Sequence, residues 1–99
     1  MNKGNYYVYI TTNPRKTVLY TGITNNLKQR EIEHFQNKGN RRTFAGRYYC
    51  YKFLYYEHFS DIHQAINREK EIKKMSRTNK LRLIRTKNPQ IEFLVLNNY

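Results

Sequence analysis

Two short runs rich in β-branched and aromatic residues, Tyr6 to Thr12 (YYVYITT) and Thr17 to Ile23 (TVLYTGI), stand on either side of Asn13-Pro14-Arg15-Lys16. Such residues suit the pleated surface of a sheet, and the Asn-Pro junction suits a turn. Two strands this close in sequence form a hairpin. Pairing Thr12 with Thr17 across a four-residue loop sets Tyr9 opposite Tyr20 and Tyr7 opposite Gly22. Opposed side chains share a face. Two phenolic hydroxyls are therefore expected on one patch of sheet, with Gly22 leaving the backbone open beside them.

The rest of the chain divides by its caps and periodicity. Asn26, with Gln29 three residues later, is a capping-box variant that opens a helix from Leu27 to about Asn37, stopping before Gly39. Leu27, Arg30 and His34 fall on one face of it, flanked by Ile32 and Phe35. Lys38 to Arg47 (KGNRRTFAGR) is basic, glycine-interrupted and expected to be an exposed loop. The aromatic content of Tyr48 to Phe59 (YYCYKFLYYEHF) favours a third strand. Asp61 caps a second helix whose apolar stripe is Ile62, Ala65, Ile66 and Ile72. Ser76 to Lys87 reads as a third helix carrying Leu81, Leu83 and Ile84, and Asn88-Pro89 ends it because the residue before proline avoids helical angles. Ile91 to Leu96 is either a last strand or a packed tail. The expected fold class is α+β: a small antiparallel three-stranded sheet flanked by helices, in the order β-β-α-β-α-α. At 99 residues it is expected to be one domain, 1–99, with a core over about 6–89.

Charge narrows the partners. Nineteen Lys and Arg against seven Asp and Glu give a net charge of +12. A compact domain so unbalanced repels itself, and a polyanion relieves that repulsion. Phosphate backbones are the commonest such partner, since each Lys or Arg contact releases a condensed counterion. Leu, Ile, Val and Phe make up little more than the roughly one-fifth below which highly charged chains stay disordered. Ten tyrosines compensate with large rings whose hydroxyls each need a place. Cys50 is the only cysteine, so neither an intrachain disulfide nor a zinc spacing arises. That, with no apolar leader and no long apolar run, fits a cytoplasmic protein with no membrane partner.

Glu69 is out of place. It lies four residues after Ala65 and three after Ile66, on the apolar stripe rather than the wet face. A carboxylate facing a core is costly unless it is paired or binds a metal. It could lie at the stripe's edge paired with an arginine, or it could be a metal ligand turned toward the sheet. Arg30 and His34 could likewise be a chance pair, and the tyrosines ordinary cross-strand packing. Together they would place two phenols, a guanidinium, an imidazole and a carboxylate around one pocket, which sheet packing alone does not require.

At these same residues the sequence resembles the GIY-YIG nuclease superfamily, in particular its small stand-alone bacterial members. Tyr7-Val8-Tyr9 is similar to the first tripeptide and Tyr20-Thr21-Gly22 to the second. Thr24 to Arg30 followed by His34 resembles the family's helix motif, and Ala65 to Lys74 resembles the later helix that bears its glutamate. The likeness runs from about Tyr6 to Pro89. Tyr7, Val8 and Thr21 depart from the family pattern while both key tyrosines are kept, and Asn88 is a looser match to the family's late asparagine.

The resemblance implies hydrolysis of a nucleic-acid phosphodiester, structure- rather than sequence-directed, on DNA more than RNA, as in repair or recombination. It implies one divalent cation, Mg²⁺ or Mn²⁺, held by Glu69. Arg30 would stabilise charge on the phosphorus oxygens, Tyr9 or Tyr20 would orient or deprotonate water, and His34 would share the proton work or contact phosphate. The expected products are a 5′ phosphate and a 3′ hydroxyl. For substrate binding the basic segment offers Arg41, Arg42 and Arg47 to the backbone, with Tyr48 or Tyr49 able to stack on a base. Two other readings stay open: a non-catalytic nucleic-acid-binding module on the same fold, and a domain that docks its basic surface on an acidic protein.

Overall fold

The computed structural model describes residues 3–96. Its elements run β1 (Lys3–Thr12), β2 (Leu19–Thr24), α1 (Leu27–Gln36), α2 (Phe44–Arg47), β3 (Lys52–Asp61), α3 (Ile62–Lys73) and α4 (Arg77–Arg85). The strands form one antiparallel sheet in the order β2-β1-β3. The expected α+β order is found, with one addition. The basic segment is not a plain loop, since Thr43 Oγ1 accepts from Gly46 N and starts the short helix α2. The third strand begins at Lys52, so Tyr48 and Tyr49 precede it.

β1 is the central strand, and its alternate residues feed two cores. Val8 and Ile10 join Leu54, Tyr55, Ala65, Ile72 and Ile84 under α3 and α4. Tyr9 joins Leu27, Phe53 and Leu96 on the opposite side. Val8 through Thr12 are all buried, and burial on both faces explains why this run lacks the alternation of a half-exposed strand. Each long helix starts on a side-chain cap: Asn26 accepts from Gln29 N, Asp61 from His63 N and Ser76 from Asn79 N. Such caps contribute about 1 kcal/mol each by satisfying amides that have no intrahelical partner.

The hairpin register differs from the expected one by two residues. Thr12 pairs with Leu19, Tyr9 faces Gly22, Tyr7 faces Thr24, and Tyr20 lies opposite Thr11. Asn13 is the reason. Its Oδ1 accepts from Thr17 N at 2.8 Å and Val18 N at 3.0 Å, while its Nδ2 donates to Thr17 Oγ1 at 2.7 Å. The two amides are drawn into the turn and lost to the ladder. Because side chains alternate with a period of two, a shift of two keeps every residue on its face. Tyr9 and Tyr20 thus remain neighbours, diagonally rather than directly.

The segment after α4 is a packed tail, not a strand. Asn88 is buried; its Nδ2 donates to Leu54 O at 2.9 Å and Glu92 O at 2.8 Å, and its Oδ1 accepts from Glu92 N at 3.0 Å. Leu94 N donates to Phe53 O. Asn88 therefore serves as a brace that seats Leu96 in the core beneath Tyr9.

Candidate active site

Tyr9 is the centre of the arrangement. It is 1% exposed, with its ring 4.9 Å from Phe53 and 6.3 Å from Tyr20. Gly22 makes the room. A Cβ at that position would stand 2.5 Å from Tyr9 Cζ and nearer still to the hydroxyl. The hydroxyl lies 2.8 Å from His34 Nε2. Burial, reinforced by Arg30, holds the His34 pKa down at about 4. His34 is therefore neutral near pH 7, and its Nε2 is placed to accept the phenolic proton. The Tyr9 pKa is pushed well up, first by burial, then by Tyr20, with Glu69 and Glu33 adding to the rise and Arg30 opposing it. Tyr9 is thus a neutral phenol that donates.

Arg30 and His34 lie four residues apart on α1 and so share its inner face. Arg30 Nη1 is 3.3 Å from Glu33 Oε1. Its Nε is buried and has no hydrogen-bond partner among the described residues. A buried N–H without an acceptor is costly, while the Arg30 side chain as a whole is 39% exposed, so the rest of its guanidinium is open to a charge-assisted bond from a phosphate oxygen.

Glu69 is largely shielded from solvent, with its side chain 16% exposed. Among the described residues no arginine pairs with it. Arg68, the arginine beside it on α3, bonds Glu57 at 2.8 and 2.9 Å and Glu71 at 2.5 Å, and Tyr55 also donates to Glu57. Glu69 is left with Lys73 at 3.5 Å, and its charge reaches the Tyr9 phenol. The charges around Tyr9 thus pair with third parties, Arg30 with Glu33 and Glu69 with Lys73, rather than with each other.

The donor set suits a cation shared with substrate. Among the described residues no group of three His, Cys, Asp or Glu could cage a metal. A single carboxylate with spare acceptor capacity matches Mg²⁺ or Mn²⁺ bound through one or two carboxylates, with substrate phosphate and waters completing the shell.

The remaining sequence candidates lie in α2 and the segments flanking it. Arg41, Arg42, Arg47, Tyr48 and Tyr49 are all exposed. Arg47 Nη2 donates to Arg41 O at 2.9 Å, so that arginine braces its own segment. Tyr49 has a φ of 58°. Phe44 went unnoticed in the sequence: its ring stacks on Tyr20 at 6.1 Å and 23°. An aromatic between Arg41, Arg42 and Arg47 was the available signal. Glu33, three residues after Arg30, was also overlooked, and the i, i+3 spacing could have found it.

Residues 5–82 match the family model described as the GIY-YIG catalytic domain, and the chain belongs to that family. It is 36% identical over 84 residues to a UPF0213 protein of Pediococcus acidilactici, covering 85% of each chain. It is 42% identical over 82 residues to a UPF0213 protein of Clostridium perfringens, covering 83% of this chain and 85% of the relative. Its fold is similar to the solution NMR structure of a UPF0213 protein from Bacillus halodurans, with a TM-score of 0.55, 30% identity, and 87% and 88% of the two chains covered. Among the described residues no helix is long and apolar enough to cross a membrane.

Proposed function

We infer that this protein is a metal-dependent endonuclease that hydrolyses phosphodiester bonds in nucleic acid, DNA more than RNA. The observation that carries the reading is Arg30, 39% exposed and with an Nε–H that lacks an acceptor, on the helix that also supplies His34 to the Tyr9–His34 hydrogen bond. Catalysis by this arrangement is electrostatic: donors fixed in advance around the place where charge develops need no reorganisation during reaction.

Arg30 receives a nonbridging oxygen of the scissile phosphate and stabilises the charge that builds there. Glu69 would hold one Mg²⁺ or Mn²⁺, which would supply neutralising positive charge to the reaction when bound. Tyr9 and Tyr20 orient the attacking water. A phosphate on Arg30 also offsets the positive charge that now depresses His34, so the imidazole becomes a better proton acceptor as substrate binds. The water proton passes to the Tyr9 oxygen as the phenolic proton passes to His34 Nε2. The new oxygen–phosphorus bond forms, the phosphorus–O3′ bond breaks and O3′ takes a proton from solvent, leaving a 5′ phosphate and a 3′ hydroxyl.

The test is nicking of plasmid and branched DNA by the purified protein with Mg²⁺ or Mn²⁺. Glu69→Ala and Arg30→Ala abolish cleavage while circular dichroism and melting stay close to wild type. Wild-type protein that binds DNA in a salt-sensitive way but nicks no substrate with either metal leaves the non-catalytic binding module as the function.

A further inference from the structure

Phe44 has no role in the core, yet it is held in place. The residue is 51% exposed, and Tyr48 beside it is 43% exposed. The two rings lie 4.8 Å apart, and Phe44 is nearly parallel to Tyr20, 6.1 Å away. The backbone beneath is tightly braced. Gly39 N donates to Gly46 O and Cys50 N to Ala45 O, each at 2.8 Å. A Cβ at Gly46 would sit 2.5 Å from Asn40 O and 2.7 Å from Asn37 O, so the segment closes on itself at a position where only glycine fits. Two large rings are thus presented to solvent by a rigid frame instead of folding onto nearby apolar surface. Exposed Arg41 and Arg42 lie on the same segment.

The geometry points to a stacking platform for an unpaired nucleobase: Phe44, flanked by Tyr48, takes the base of the nucleotide next to the scissile phosphate. The placement beside that phosphate rests on the nuclease reading above. The requirement for an unpaired base follows from stacking. Inside a duplex both faces of a base are covered by its neighbours, so a protein ring gains a face only where a base is splayed out. Arginines attract any phosphate backbone regardless of base state, whereas an aromatic ring takes up base faces with little sequence preference. The platform continues from Tyr20, so a strand reaching it passes the site. The substrate class is nucleic acid with an unpaired nucleotide at the cut: a flap, bulge or single strand.

The binding test uses the full chain in EDTA, so it does not depend on catalysis. The chain has no tryptophan, and Phe44→Trp therefore gives a single reporter. Its emission falls on adding a short oligothymidylate but not the matching abasic oligomer. Phe44→Ala binds the oligothymidylate roughly tenfold more weakly, as expected for one lost stacked base, with duplex affinity and melting temperature unchanged. In cleavage, the same substitution levels the rates on a flap and on a duplex of the same sequence. The platform is overturned if Phe44→Ala keeps wild-type single-strand affinity, if single-strand and duplex binding fall equally, or if the abasic oligomer quenches as strongly. Wild-type protein that shows the binding contrast but never cleaves sinks the nuclease reading and leaves the base-stacking site standing.

Discussion

Gly22→Ala tests whether the Tyr9 phenol is held where the chemistry needs it. The added Cβ would stand 2.5 Å from Tyr9 Cζ and 3.0 Å from Tyr20 Cε2, whereas ordinary contact begins at 3.4 Å, so the phenol must retreat by about 1 Å. A side-chain tip at the surface would do so at little cost. Tyr9 cannot, because it is 1% exposed, has the Phe53 ring at 4.9 Å and has its hydroxyl on His34 at 2.8 Å. Overpacking of a filled site costs roughly 1–3 kcal/mol. In a domain of this size each kcal/mol lowers the melting temperature by roughly 4–8 °C. Thermal unfolding followed by circular dichroism should therefore show a fall of at least several degrees. A displacement of about 1 Å at a reacting group costs on the order of 100-fold in rate, read by plasmid nicking with Mn²⁺. Gly4→Ala is the control, since its Cβ meets only Tyr6 at an ordinary 3.4 Å, and it should change neither quantity. Gly22→Ala protein that melts and cleaves like wild type would refute the claim that this glycine positions the phenol.

Three further outcomes are expected. His34 is held at about 4 against an ordinary 6.5, so the unfolded chain takes up this proton first. Its contribution to stability is present above about pH 6.5 and is lost as pH falls toward 4, and His34→Gln should flatten that part of the urea-melt pH profile. Asn88→Ala strands the Glu92 amide and the Leu54 carbonyl that Asn88 now satisfies, costing about 1–3 kcal/mol in chemical denaturation; an unchanged midpoint argues against its role as a brace. Reversing charge at Arg41 and Arg42 together weakens DNA binding and flattens the slope of log affinity against log salt; an unchanged slope removes that segment from the interface.

Much of the fold and part of the site were legible in the residues alone. The strands, the Asn26 and Asp61 caps, the shared face of Arg30 and His34, and the place of Glu69 on the apolar stripe all follow from spacings of one to four residues. Backbone geometry fixes what such near neighbours can do, so the sequence determines them before any long-range contact forms. The tertiary structure decided the rest. Asn13 captured two amides and moved the hairpin register. Glu57 on β3, eleven residues before Arg68, took that arginine. Phe44 met Tyr20 across twenty-four residues of chain, and Asn88 locked the tail to β3. The Asn13 turn spans only four and five residues, but the other three outcomes are competitions among partners distant in sequence, and only packing brings such partners within reach.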